Sequence, residues 1–158
     1  MNMFSKLKTL FKGPEPAGPP QTIKVFSASE STITQDGVEH EEAGWRLEAG
    51  GATVFHLFEH PLSDLEQCML TYRAQLRSEN LKGKGYLEMW CRLPGRGEFF
   101  SRGLAQTISG TTDWASYETP FYLKAGQKSD LIKLNFVTKG SGAVCIRDIE
   151  LLQTPLKS

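Results

Sequence analysis

The chain has 158 residues, and its eighteen lysines and arginines balance eighteen aspartates and glutamates. That length suits one domain with a two-layer core, since about two thirds of the unfolded surface can be buried at this size. Zero net charge excludes steering of the whole molecule toward nucleic acid, and no apolar run is long enough for a membrane-spanning helix.

At the N-terminus, Met3, Phe4, Leu7, Leu10 and Phe11 share one helical face, while Ser5, Lys6, Lys8, Thr9 and Lys12 share the other. Residues 1–12 are therefore expected to form a short basic amphipathic helix. Its lysines interrupt any signal-peptide core, and no small-residue cleavage site follows. Such a helix can lie on an anionic membrane surface or dock on a protein partner, weakly and reversibly because it is short. A frayed tail with chance apolar spacing fits the same residues.

Residues 13–21 hold four of the eight prolines and are expected to act as a semi-rigid Pro/Gly linker. The folded domain is then expected over residues 22–152, with 153–158 as a polar tail. Inside it, short runs of alternating polarity are separated by Gly, Asn, Asp and Pro clusters, which is the pattern of an all-β fold. Strands are predicted at 23–27, 44–48, 53–58, 66–77, 86–93, 104–109, 117–123, 131–138 and 143–152. Nine strands exceed what one open sheet comfortably holds, so a two-sheet antiparallel β-sandwich is expected.

The segment His56-Leu57-Phe58-Glu59-His60 has the H-x-x-E-H spacing of some zinc peptidases. That chemistry needs a helix, whereas Thr53-Val54-Phe55 before it is β-prone and Pro61 follows. In a strand the two histidines stand about 13 Å apart with Glu59 on the opposite face, so a zinc hydrolase through His56 and His60 is set aside. With no Gly-x-Ser-x-Gly elbow, Walker loop or dinucleotide fingerprint, an enzyme is not expected.

The central strands assign faces. Cys68, Leu70, Tyr72, Ala74 and Leu76 share one phase, and Leu87, Met89, Cys91 and Leu93 share another; both sets are expected to face the core. The glycines between them predict a hairpin. Its outward face would gather Arg73, Gln75, Arg77, Tyr86, Glu88, Trp90 and Arg92, joined by Lys133 and Asn135 from the strand at 131–138. An aromatic plane beside planar polar side chains is what sugar recognition uses, so this face is the candidate ligand-binding surface. The bland reading is that Trp90 lies under a loop at 95–103 and the charges form cross-strand pairs.

In the last strand, Val144 and Ile146 are out of phase with Ile149 and Leu151, which predicts a bulge at Arg147-Asp148. Cys68, Cys91 and Cys145 are odd in number and widely spaced, so buried free thiols are expected rather than a disulfide or metal ligands. Free thiols suit a reducing compartment, hence the cytoplasm, peripheral to a membrane if residues 1–12 dock there.

From Cys68 onward the residues carry a family signal. The phrase Gly110-Thr111-Thr112-Asp113-Trp114, followed by Tyr117, and the closing run Ala143-Val144-Cys145-Ile146-Arg147-Asp148-Ile149-Glu150-Leu151 resemble the galactose-binding-like, carbohydrate-binding-module-like β-sandwich superfamily. The resemblance covers rather more than half the chain. It implies a jelly roll, packing roles for Trp114 and Tyr117, and a non-catalytic binding module for a carbohydrate or similar polyhydroxylated ligand. It also allows a structural calcium with Asp148 as one ligand, although no carboxylate cluster in 23–34 completes such a site; no other cofactor is implied. The alternative function is an intracellular interaction or assembly module tethered through residues 1–12.

Overall fold

A computed structural model describes residues 14–63 and 65–158. Nine strands follow one another: β1 (Gln21–Phe26), β2 (Val38–His40), β3 (Gly44–Ala49), β4 (Thr53–Pro61), β5 (Cys68–Leu93), β6 (Gly97–Arg102), β7 (Ile108–Leu123), β8 (Leu131–Thr138) and β9 (Gly142–Pro155). No helix forms among the described residues, and the amphipathic helix expected over residues 1–12 lies outside them. The Pro-rich segment is tied to the end of the chain: Ala17 N donates to Pro155 O at 2.7 Å and Lys157 N to Glu15 O at 2.8 Å.

Every strand pairing is antiparallel, along the path β2-β3-β9-β5-β8-β4, with β1 on β9 and both β6 and β7 on β5. The predicted central hairpin does not form. β5 is one 26-residue strand that changes partners midway: residues 68–79 run between β7 and β9, and residues 85–93 between β6 and β8. The glycines read as a hairpin turn instead mark a bend, where Asn80 and Gly83 take positive φ values of 50° and 73°. Two further predictions change with it. The loop expected at 95–103 contains strand β6, and the predicted breaks at 110–116 vanish into the continuous β7.

The bend curls the sheet so that its two limbs face each other, the arrangement of a β-sandwich. Phe26 of β1 stacks on Phe58 of β4 with ring centroids 4.5 Å apart, and Trp45 of β3 meets Phe58 edge-on at 5.3 Å. On the far side, the Ser101 and Thr119 hydroxyls of β6 and β7 lie 2.6 Å apart. Leu70, Tyr72, Ala74 and Leu76 from one half of β5, and Leu87, Met89, Cys91 and Leu93 from the other, join a single buried cluster. The period-two assignment of the core face therefore holds on both halves. All three cysteines are buried and free, and burial pushes the Cys68 thiol up to about 11 and Cys91 to about 12.

The expected bulge in β9 is present. Asp148 has φ 53°, and the register with β5 slips between Arg73 and Gln75. It lies where β9 passes from β3, which pairs with residues 142–147, to β1, which pairs with 149–153.

The bend in β5 is held from outside by the turn before β9. Gly142 has φ 140°, and a Cβ there would come within 2.5 Å of the Leu81 Cα and 2.6 Å of the Asn80 carbonyl oxygen. Only glycine fits against this backbone. Gly142→Ala is expected to destabilise the protein by about 1–3 kcal/mol through overpacking and backbone strain. Urea denaturation checks this; a midpoint equal to wild type would show that the turn does not brace the bend.

Candidate functional site

The second limb, made of β4, β8, the 85–93 half of β5, and β6, presents an open cleft of about 430 Å³ on its outward face. Register brings one polar row across all four strands: His56 of β4 lies opposite Asn135 of β8, Asn135 opposite Glu88 of β5, and Glu88 opposite Arg102 of β6. Alternation alone sends these side chains out, since their neighbours Phe55, Leu134, Phe136, Leu87 and Met89 fill the core.

Glu88 is the centre of the row and is only 5% exposed. Its Oε1 accepts from Trp90 Nε1 at 2.9 Å and from Asn135 Nδ2 at 3.1 Å, and its Oε2 accepts from Arg102 Nε at 2.9 Å. Burial alone would push the Glu88 carboxyl up, but these three donors and the Arg102 charge outweigh it and hold the group below the ordinary carboxylate range. Asn135 in turn faces His56, with Oδ1 3.2 Å from Nδ1.

Beside this row lies an aromatic pair. Trp90 is half-buried, with Phe100 of β6 tilted against it at 5.1 Å and 49% exposed. The Arg102 guanidinium stands 4.1 Å over the Phe100 ring. Lys133 and Glu98 close the opposite side as a 2.7 Å ion pair, while Val54 and Ile33 give the β4 edge an apolar lip.

Of the nine residues read as a ligand face, Glu88, Trp90, Lys133 and Asn135 line this cleft. Tyr86 and Arg92 lie in phase on the same strand but outside it: Lys139 stands 5.9 Å from the Tyr86 ring, and Arg92 donates twice to Asp130, at 2.8 and 3.1 Å. Arg73, Gln75 and Arg77 are not brought to them, because without a hairpin they sit on the first limb. There Arg73 pairs with Glu150 at 2.7 Å, Gln75 accepts from Arg147 at 3.0 Å, and Arg77 shares Glu79 with Arg46. Trp114 is on that limb too, with the Arg147 guanidinium 3.9 Å over its ring, while Tyr117 packs against the core.

Sequence reasoning missed His56, Glu59, Glu98 and Arg102 as cleft residues. His56 and Glu59 were assigned opposite faces, but a register shift between His56 and Phe58 places both on the cleft side. His60 instead meets Phe26 edge-on at 6.4 Å. Glu98, Phe100 and Arg102 were hidden in the supposed loop, although they alternate with Phe99 and Ser101 as a strand should. Asp148 lies in the β9 bulge 3.9 Å from Arg147, and among the described residues no three His, Cys, Asp or Glu side chains gather as metal ligands.

Because the folded-state pKa of Glu88 is depressed, its stabilising contribution is fully present above the ordinary value of 4.5 and is lost as pH falls through the lower, folded-state value. Glu88→Gln is therefore expected to flatten the fall in unfolding free energy below about pH 4.3, relative to wild type. Denaturation series across that range check it, and parallel curves would show that Glu88 is not a stabilising charge.

No family model matches the chain, and no curated protein matches it. Among solved structures, the CBM22-1 xylan-binding domain of Paenibacillus barcinonensis Xyn10C superposes with a TM-score of 0.55 at 12% identity, covering 89% of this chain and 99% of that one. The CBM22-1–GH10 modules of Clostridium thermocellum xylanase 10B, complexed with xylohexaose, give 0.53 at 8% identity. Here 88% of this chain is covered but only 26% of the xylanase modules. The chain thus has a carbohydrate-binding-module-like β-sandwich fold.

Proposed function

We propose that the chain is a non-catalytic module, a two-sheet jelly roll that binds a neutral saccharide chain in the cleft over β4, β8, β5 and β6. The observation that carries this reading is the Trp90–Phe100 pair, uncovered beside a hydrogen-bonded row of His56, Asn135, Glu88 and Arg102. Aromatic faces take the C–H surface of a sugar, and a fixed polar row takes its hydroxyls. Fold likeness to a xylan-binding domain supports the ligand class, and xylohexaose is the natural first probe.

Charge narrows the ligand further. Arg102 is committed to Glu88 and Lys133 to Glu98, so the cleft's two cations are neutralised. Glu59 adds a carboxylate that makes no ion pair among the described residues. A sulfated or uronate-bearing chain would find no cation that lacks a carboxylate partner, whereas a neutral one can still use the N–H donors Arg102 has left. Glu88 itself is unsuited to the acid step of hydrolysis. Glycosidase chemistry needs a carboxylic acid with a raised pKa to protonate the leaving group, and Glu88 is held ionised by three donors.

Trp90→Ala and Phe100→Ala are each expected to weaken xylohexaose binding about tenfold or more in calorimetric titration. Tyr122→Ala, an exposed aromatic on β7 outside the cleft, should bind as wild type. Absence of binding to xylohexaose and to a panel of neutral glycans would end the saccharide reading, and binding indifferent to both Trp90 and Phe100 would remove it from this cleft.

A further inference from the structure

One buried charge sets the direction of every hydrogen bond along the row. Ionised Glu88 offers only acceptors, so the Asn135 atom 3.1 Å from its Oε1 has to be the amide nitrogen. Asn135 Oδ1 is thereby turned to His56, 3.2 Å from Nδ1. A carbonyl oxygen cannot donate, so the proton lies on Nδ1. In a neutral ring the other nitrogen, Nε2, is then an acceptor. Among the described residues Nε2 has no partner, and the exposed ring lines the cleft.

We infer that Glu88 and Asn135 are positioning residues that hold His56 as its Nδ1–H tautomer and so present Nε2 to the cleft as an acceptor for a ligand hydroxyl. This rests on the saccharide reading and sharpens it. At the β4 edge the ligand must supply an O–H donor, which an ether, an ester or a carboxylate cannot. At the β6 edge the Arg102 guanidinium offers N–H donors beyond the Nε given to Glu88, so the ligand must supply an acceptor there. The two ends are three strand spacings apart, about 14 Å, which a single sugar ring does not span. The cleft therefore takes an oligosaccharide rather than one sugar, with a free hydroxyl at His56 and an acceptor oxygen at Arg102.

Long-range proton–nitrogen NMR of the full chain at neutral pH reads the tautomer directly. The chain has only three histidines, and loss of one ring's signals in His56→Gln assigns His56. The expected result is Nδ1–H in wild type, with Nε2–H gaining population in Asn135→Leu, where the Nδ1 proton has lost its acceptor. A wild-type ring protonated on Nε2, or an unchanged Nδ1–H signal in folded Asn135→Leu, overturns the relay; the wild-type spectrum decides this even if the variant does not fold. His56→Phe should weaken xylohexaose binding about 5- to 10-fold, the loss of one hydrogen bond. Wild-type affinity in His56→Phe overturns the Nε2 contact and leaves the saccharide reading intact. If no neutral glycan binds wild type, the saccharide reading fails, while the spectrum of the free protein still tests the tautomer.

Discussion

A carboxylate largely withdrawn from water has to be solvated by the protein, and Glu88 meets that constraint with donors from its own strand, β8 and β6. Desolvating a carboxylate costs several kcal/mol. Each hydrogen bond to a charged group contributes about 1.5–3 kcal/mol net, so the three together offset the burial and losing one leaves a buried charge short of a donor. Two of them cross to neighbouring strands, which makes the cleft floor sensitive to register. A slip of one residue on β8 would put Leu134 or Phe136 where Asn135 stands, turning an oily side chain toward the charge and Asn135 into the core. The hydrophobic pattern and the buried carboxylate thus select the same pairing.

That pairing exists because β5 serves both limbs. Its first half pairs Arg73 with Glu150 and Gln75 with Arg147 across to β9, while Arg77 pairs along its own strand with Glu79, which also receives Arg46 from β3. Trp114 on the same limb is capped by Arg147. The second half carries Glu88 and Trp90 into a face where Arg102 and Lys133 are also paired, but the aromatic pair keeps an open side. One strand with one polarity pattern therefore gives a closed face and an open one. The difference comes from its neighbours, β7 and β9 in one case, β6 and β8 in the other.

This division explains what could and could not be read from the residues. Alternation in Cys68–Leu76 and Leu87–Leu93 reports which side of a strand is oily, and that half of the problem was legible; it also put Glu88, Trp90, Lys133 and Asn135 outward together. Periodicity says nothing about partners. Gly83 and Gly85 fit a hairpin turn as well as a bend, and only the long-range pairing of Leu81 with Gly110 and of Gly85 with Ile108 distinguishes them. β6 was missed because half-exposed Phe99 and Phe100 blur the two faces of an edge strand between glycines. The bulge in β4 has no glycine or proline to announce it, so the assignment of Glu59 to the face opposite His56 inverted.

The cleft combines two kinds of residue with different coupling to the fold. Trp90 lines it and Phe100 packs against Trp90 at its β6 side, so in the proposed saccharide reading their identity bears mainly on contact area. Glu88 and Asn135 are buried at its floor and tied to strand register, so what they present to the cleft is the orientation of the atoms around them. A sandwich of this kind can share its backbone with a xylan-binding domain at 12% identity because the fold requires only the oily phase of each strand. The polar phase is free to vary, and once one position in it becomes a buried carboxylate that freedom ends locally. Asn135, Trp90 and Arg102 are then fixed as donors, the inferred orientation of His56 follows from Asn135, and the chemistry the cleft presents is set by the requirement that the carboxylate be satisfied.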